Sequence, residues 1–158
     1  MGTQFDFSND DWDRVAAAPV LVGMAVAKAE HSGFLGSIRE TRSLLATIAD
    51  GASDNPARDL IAQAAATDTT ADFEAYRVLT PDALATDAEV ACQELTRILA
   101  DTVEPDIADG YKRWVLSVAG AVAEAAKEQG VRVSRGELEV IVQVTKALGL
   151  PPNGSIDA

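Results

Sequence analysis

A single all-α domain is what this sequence predicts, and three observations carry the prediction. Apolar residues make up 47% of the 158 positions while aromatics are only 5%, so Ala, Val, Leu and Ile must build the core. Alanine is the strongest helix former, and it occurs in runs such as Ala16-Ala17-Ala18 and Ala64-Ala65-Ala66. Alternating β-branched and aromatic runs, the mark of strands, are missing; Val131 to Val133 is the best fragment, and it is too short for a sheet. A chain of this length buries about 70% of its unfolded surface as one domain.

Punctuation places the helices in order. Asn9 or Asp10 is expected to cap a helix opening at Asp11-Trp12. Pro19 falls inside that helical run and removes a backbone donor, which predicts a kink or a restart from Val20 to about His31, with Gly33 ending it. The stretch from Val15 to Ala27 is the most apolar in the chain. It falls well short of the roughly 20 residues that a bilayer span needs, so it reads as a buried core helix. Ser37 and Glu40 form a capping box that opens a second helix to Asp50, with Gly51 expected in the left-handed conformation after it.

Ser53 or Asp54 with Pro56 predicts a short helix to about Ala66, proline lying in its first turn. Thr67 to Thr70 is a polar break before a short helix from Ala71 to Leu79. Thr80-Pro81 is a cap followed by a first-turn proline, and it leads into a helix over 82–101, broken near Thr86. Its apolar stripe is Leu84, Val90, Ala91, Leu95, Ile98 and Leu99. Pro105 starts the next helix, which carries Tyr111 and Trp114 and ends at Gln129-Gly130. Ser134 and Glu137 form a second capping box, opening a last helix to Leu148 with Gly149 after it. The count is six to seven helices, with no linker long enough to divide them; residues 1–8 and 151–158 are expected to fray.

The two ends of the chain align without a gap at a shift of 97 residues. Gly23 meets Gly120, Ala29 meets Ala126, Gly33 meets Gly130, Ser37 meets Ser134 and Glu40 meets Glu137, while Leu44 and Leu45 fall on Ile141 and Val142. Glycine inside a helix costs about 1 kcal/mol relative to alanine, so Gly23 and Gly120 imply close backbone approach. The expected arrangement is a pseudo-twofold duplication, with helices 20–31 and 114–129 packed on each other and the capping-box helices covering them.

An Ala/Val-rich helix, a glycine turn, a hydrophobic-Ser-x-x-Glu motif and a helix ending in Ala-Leu-Gly-Leu resemble the tellurite-resistance TerB-like family. The match runs from Tyr111 to Leu150, with Val133-Ser134, Glu137 and Ala147-Leu148-Gly149-Leu150 at its centre. The resemblance implies a helical, internally duplicated, non-enzymatic binding module associated with metal or stress responses. Family members place an Asp before the turn glycine as a proposed metal ligand; Ser32 and Gln129 stand there in this chain.

Charge and chemistry narrow the function. A net charge of −12, with nine Arg and four Lys scattered along the chain, argues against nucleic acid and against anionic membrane surfaces. Cys92 is the one cysteine, which precludes an internal disulfide, suits a reducing cytoplasm and reads as a buried apolar residue. His31 is the one histidine, three residues after Lys28 rather than Glu, so no Glu-x-x-His metal pair exists. Glu40 and Glu137, with Glu30, Glu124 or Glu128, supply too few in-loop carboxylates for calcium, and capping explains them better. Gly33-Phe34-Leu35-Gly36 lacks the strand and the Lys-Ser/Thr of a phosphate loop. Trp12, Tyr111 and Trp114 are expected in the core, with a partner-binding surface as the second reading. No residue is assigned as catalytic, cofactor-binding or metal-ligating. The expected function is a cytoplasmic, non-enzymatic interaction module with a protein partner or self-association. A small-molecule enzyme with its site between the two halves and a structural homodimer stay open as alternatives.

Overall fold

The computed structural model describes residues 4–29, 38–128 and 135–150. Within them one 3₁₀ turn, Gln4–Asp6, precedes seven helices: α1 (Asn9–Ala29), α2 (Ile38–Asp50), α3 (Arg58–Ala66), α4 (Thr70–Tyr76), α5 (Pro81–Thr102), α6 (Pro105–Glu128) and α7 (Arg135–Ala147). No strand occurs among the described residues. Gly33, Ser37, Gly130, Ser134, His31, Ser32, Gln129 and the fragment 131–133 lie outside them, as do the side chains of Glu40 and Glu137.

Helix α1 starts at Asn9, two residues earlier than the sequence suggests. Ser8, rather than Asn9 or Asp10, is the cap: its Oγ accepts from the Asp11 N–H at 3.1 Å. Phe7, just before the cap, packs on Trp12 with ring centroids 5.7 Å apart. This is a hydrophobic staple, and it orders part of the segment expected to fray.

Pro19 does not restart the helix; α1 runs through it without interruption. The backbone solves the missing donor from outside. Pro19 has no N–H to give the carbonyl four residues earlier, that of Val15. The hydroxyl of Tyr111, fully buried on α6, donates to that carbonyl at 2.7 Å. A proline and a tyrosine far apart in sequence thus satisfy one buried acceptor between them.

From Val15 to Ala27 almost every side chain of α1 is buried. The reason is position: α1 touches α3, α4, α5, α6 and α7. A helix surrounded on all sides has no need of a polar face, which explains its apolar run.

The later elements follow local rules with three corrections. Gly51 is not left-handed; among the described residues Gly149 is the one positive-φ glycine. After Asp50 the chain continues through successive tight turns, Ala52 N–H to Ala49 O and Asn55 N–H to Ala52 O, so no reversal is required. Pro56 lies ahead of α3 rather than in its first turn, and α4 runs from Thr70 to Tyr76 rather than 71–79. Helix α5 is unbroken at Thr86; Thr80 caps it by accepting from the Ala83 N–H at 3.2 Å. At the far end α7 closes as expected, with Gly149 at φ 71° and the paired bonds Leu150 N–H to Thr145 O and Gly149 N–H to Lys146 O.

The turn before α3 is tied to α6 by Asn55. Its Oδ1 accepts from the Ala57 N–H at 2.8 Å and its Nδ2 donates to the Gly110 carbonyl at 3.0 Å. A Cβ at position 110 would lie 2.2 Å from that Oδ1, so the close approach requires glycine.

The two Ala/Gly-rich helices, α1 and α6, do pack together, with α2 on α6 and α7 on α1. The details depart from strict duplication. Gly23 is buried, whereas Gly120 is exposed and a Cβ there would meet nothing within 4 Å, so close approach does not explain it. Thr41 and Leu45 of α2 are buried, while the aligned Leu138 and Val142 of α7 are exposed. Helix α2 packs on α3 and α6, but α7 sits on α1, α5 and α6 and turns a different face inward.

Candidate functional site

The residues singled out by the sequence are largely absorbed by the core. Cys92 is fully buried on α5, and burial pushes its thiol up to about 12, which makes it a poor nucleophile. Trp12, Tyr111 and Trp114 are buried, and the last two rings meet at a tilt of 54° with centroids 5.4 Å apart. The indole N–H groups of Trp12 and Trp114 find no acceptor among the described residues. Glu124 is exposed. Among the described residues no group of three or more His, Cys, Asp or Glu side chains converges as a metal site.

A groove of about 310 Å³ lies where α1, α4 and α5 meet. Helix α1 supplies the apolar part, Ala17, Ala18 and Leu21, with Asp13 and Arg14 at one end. Helix α5 adds Asp87, Val90, Ala91 and Glu94 in successive turns, and α4 adds Asp72 and Tyr76. The spacing on α1 and α5 is helical, so each helix presents one continuous face. Lys28 holds α4 in place: its ammonium donates to the Leu79 carbonyl at 3.0 Å and also to that of Arg77, just beyond the helix.

The groove carries four carboxylates and one guanidinium. Arg14 lies 4.0 Å from Glu94 and 3.8 Å from Asp11, both long, exposed contacts of small value. Asp13, Asp72 and Asp87 have no ion pair among the described residues. Partial burial, then the Asp13 charge, holds the Asp72 carboxyl above the ordinary carboxylate range. Burial, then Asp72 and Asp87, pushes the Tyr76 hydroxyl up to about 12, so it stays protonated at neutral pH.

Val90 belongs to this site rather than to the core stripe in which the sequence pattern places it. It is 48% exposed, while Leu84, Ala88, Cys92 and Leu95 form the buried face. The acidic members could not be found from the sequence, since Asp13, Asp72 and Asp87 come from three helices and have no common motif.

Chemically the arrangement suits a ligand with an aliphatic body and positive charge. It contains no histidine, thiol or lysine to act as base or nucleophile near pH 7. A second cavity, of about 390 Å³ beside Trp114, has Asp54 and Arg113 as its one acid and one base, and its Asn55 and Ser117 side chains are already bonded to backbone. Among the described residues no helix is long and apolar enough to cross a membrane. No family model, curated protein or solved structure matches the chain.

Proposed function

We propose that this chain is a non-enzymatic helical binding module that works in the cytoplasm through the groove between α1, α4 and α5. The observation that carries the reading is the excess of carboxylates over the single guanidinium of Arg14, with Asp13, Asp72 and Asp87 in no ion pair among the described residues, around an apolar surface. Partial burial and the Asp13 charge disfavour the ionised form of Asp72 in the free protein. A cationic partner would relieve that cost, and the overall charge of −12 would steer it in. The resemblance of the chain's ends to the TerB-like family, with its duplicated helix-turn-helix units, supports a module that binds rather than catalyses.

Two-dimensional NMR titration with a panel of cations tests this directly: a linear amine, a basic amphipathic peptide and Mg²⁺. The reading expects at least one to shift the amides of Ala17, Ala18, Leu21, Tyr76 and Ala91 together. Silence from all three, or shifts scattered over the surface, rejects it.

Self-association is a second reading, favoured by the outer face of α7. Leu138 and Val142 are 53% and 64% exposed and one helical turn apart. Light scattering after gel filtration decides it, because a monomer at high concentration removes the case for a dimer.

A further inference from the structure

We infer that residues 68–79, which carry α4, form a strap that opens away from α1 as one unit, under the control of Lys28, while the rest of the bundle stays folded. The inference does not depend on what the groove binds, and its test needs no ligand.

The helices on either side of the strap are closed without it. Helix α3 ends on its own bonds: the Thr67 N–H donates to the Ala64 carbonyl at 3.1 Å, and the Thr67 hydroxyl donates to the Gln63 carbonyl at 2.7 Å. Helix α5 begins on Thr80, which accepts from the Ala83 N–H through its side chain and from the Leu84 N–H through its carbonyl. Both junction residues are already extended, with ψ 138° at Thr67 and 159° at Thr80. Residues 68–79 can leave without unravelling either neighbour.

Few ties hold the strap down. Among the described residues, one group outside the segment hydrogen-bonds to it: the Lys28 ammonium on α1, which donates to the carbonyls of Arg77 and Leu79. The remaining polar contacts are internal, such as Asp68 Oδ1 with the Thr70 N–H and hydroxyl, and the ion pair of Arg77 with Glu74. Helix α4 packs chiefly on α1, and Phe73 is its one buried residue. Most other side chains of the segment are exposed. Charge opposes closure, because Asp13 on α1 and partial burial both disfavour the ionised form of Asp72 on α4.

Length makes the opening all-or-none. Isolated helices below about 12–15 residues are marginal in water, and α4 has seven. Away from α1 it melts, so its amides lose protection together. Opening uncovers Phe73 and the part of α1 on which α4 lies. The closed strap thus hides apolar surface of the central helix, and the Lys28 ammonium is its latch.

Native-state hydrogen exchange on the full chain tests the strap. The amides of Phe73, Glu74, Ala75, Tyr76 and Arg77 should share one opening equilibrium, at least tenfold more open than that of α1 from Val15 to Ala27. Urea should promote it with less than half the slope of global unfolding, since little surface is exposed. Gly110→Ala strains the distant junction of α6 with the turn before α3. It should raise exchange of α1 at least fivefold and leave α4 within twofold. Lys28→Met keeps the aliphatic stem, removes the donors and should raise the α4 opening at least tenfold. Exchange of α4 at the rate and urea slope of α1 overturns the inference, and so does an equal rise of both in Gly110→Ala. An α4 opening unchanged by Lys28→Met overturns the latch. The wild-type urea slope decides the matter even where a variant fails to fold.

Discussion

At the 97-residue shift α1 falls on α6, Gly23 on Gly120 and Ala29 on Ala126, yet the two helices occupy different places in the molecule. Helix α1 is enclosed by five others and is buried almost continuously from Val15 to Ala27. Helix α6 buries Tyr111, Trp114, Val115, Val118, Ala119 and Val122 on one side and leaves Arg113, Ser117 and Gly120 exposed on the other. The shared residues therefore have different consequences. Gly23 is inside, while Gly120 faces open space. The same difference separates α2 from α7, whose aligned positions 45 and 142 are respectively buried and exposed. At aligned positions, surroundings decide which face a helix buries.

The largest break in this comparison is expected from truncating the enclosed helix. Met24→Ala should cost about 2–5 kcal/mol, because a fully enclosed site collapses poorly. Leu116→Ala, on the half-buried flank of α6, should cost only about 1 kcal/mol. Urea denaturation of the two variants compares them.

Next comes the bond that joins the two helices. Tyr111→Phe leaves the buried Val15 carbonyl without a donor and should cost about 1–3 kcal/mol. In a Pro19→Ala background the new backbone N–H serves that carbonyl, so most of the cost should vanish. A double-mutant cycle reads the coupling, and a cost unchanged by Pro19→Ala contradicts the assignment.

Two glycines on α6 sharpen the contrast within one helix. Gly110→Ala drives a Cβ into Asn55 and disrupts its two hydrogen bonds, a loss of about 1–3 kcal/mol. Gly120→Ala fills open space and should stabilise by about 0.5–1 kcal/mol. Thermal melts of the pair should move in opposite directions.

The smallest effect is at the groove. Because the Asp72 carboxyl is held above its ordinary value, the folded protein takes up that proton more readily than the unfolded chain. The penalty of its charge is complete at neutral pH and lifts as pH falls through the raised value. The N-terminal dipole of α4 favours the charge, but burial and Asp13 outweigh it. Asp72→Asn should then stabilise the protein at pH 7 by no more than about 0.5 kcal/mol, since the group is largely hydrated. The gain should disappear below the ordinary carboxylate value of 3.8. Denaturation across that range, at fixed salt, checks the sign.

What could be read from the sequence was local. Thr80-Pro81, Pro105 and Gly149 mark helix ends through their own backbone chemistry, and each lies where it was expected. The cap of α1 is Ser8 rather than Asn9 or Asp10 because all three are competent caps in a row. Gly51 misled because a left-handed residue depends on where the next helix must go. The partnerships Pro19–Tyr111 and Asn55–Gly110 join residues whose meeting only tertiary packing creates. The groove was illegible for the same reason, and Val90 was masked by a helical period that fits either face of α5.

The central claim is that α1 is the buried axis of the bundle. Native-state hydrogen exchange measures this residue by residue. The amides of α1 from Val15 to Ala27, Pro19 apart, should exchange only through global unfolding, with free energies equal to that from denaturation, while those around Gly120 in α6 open at lower cost. Exchange of α1 through smaller openings, at free energies equal to or below those of α6, would contradict the account.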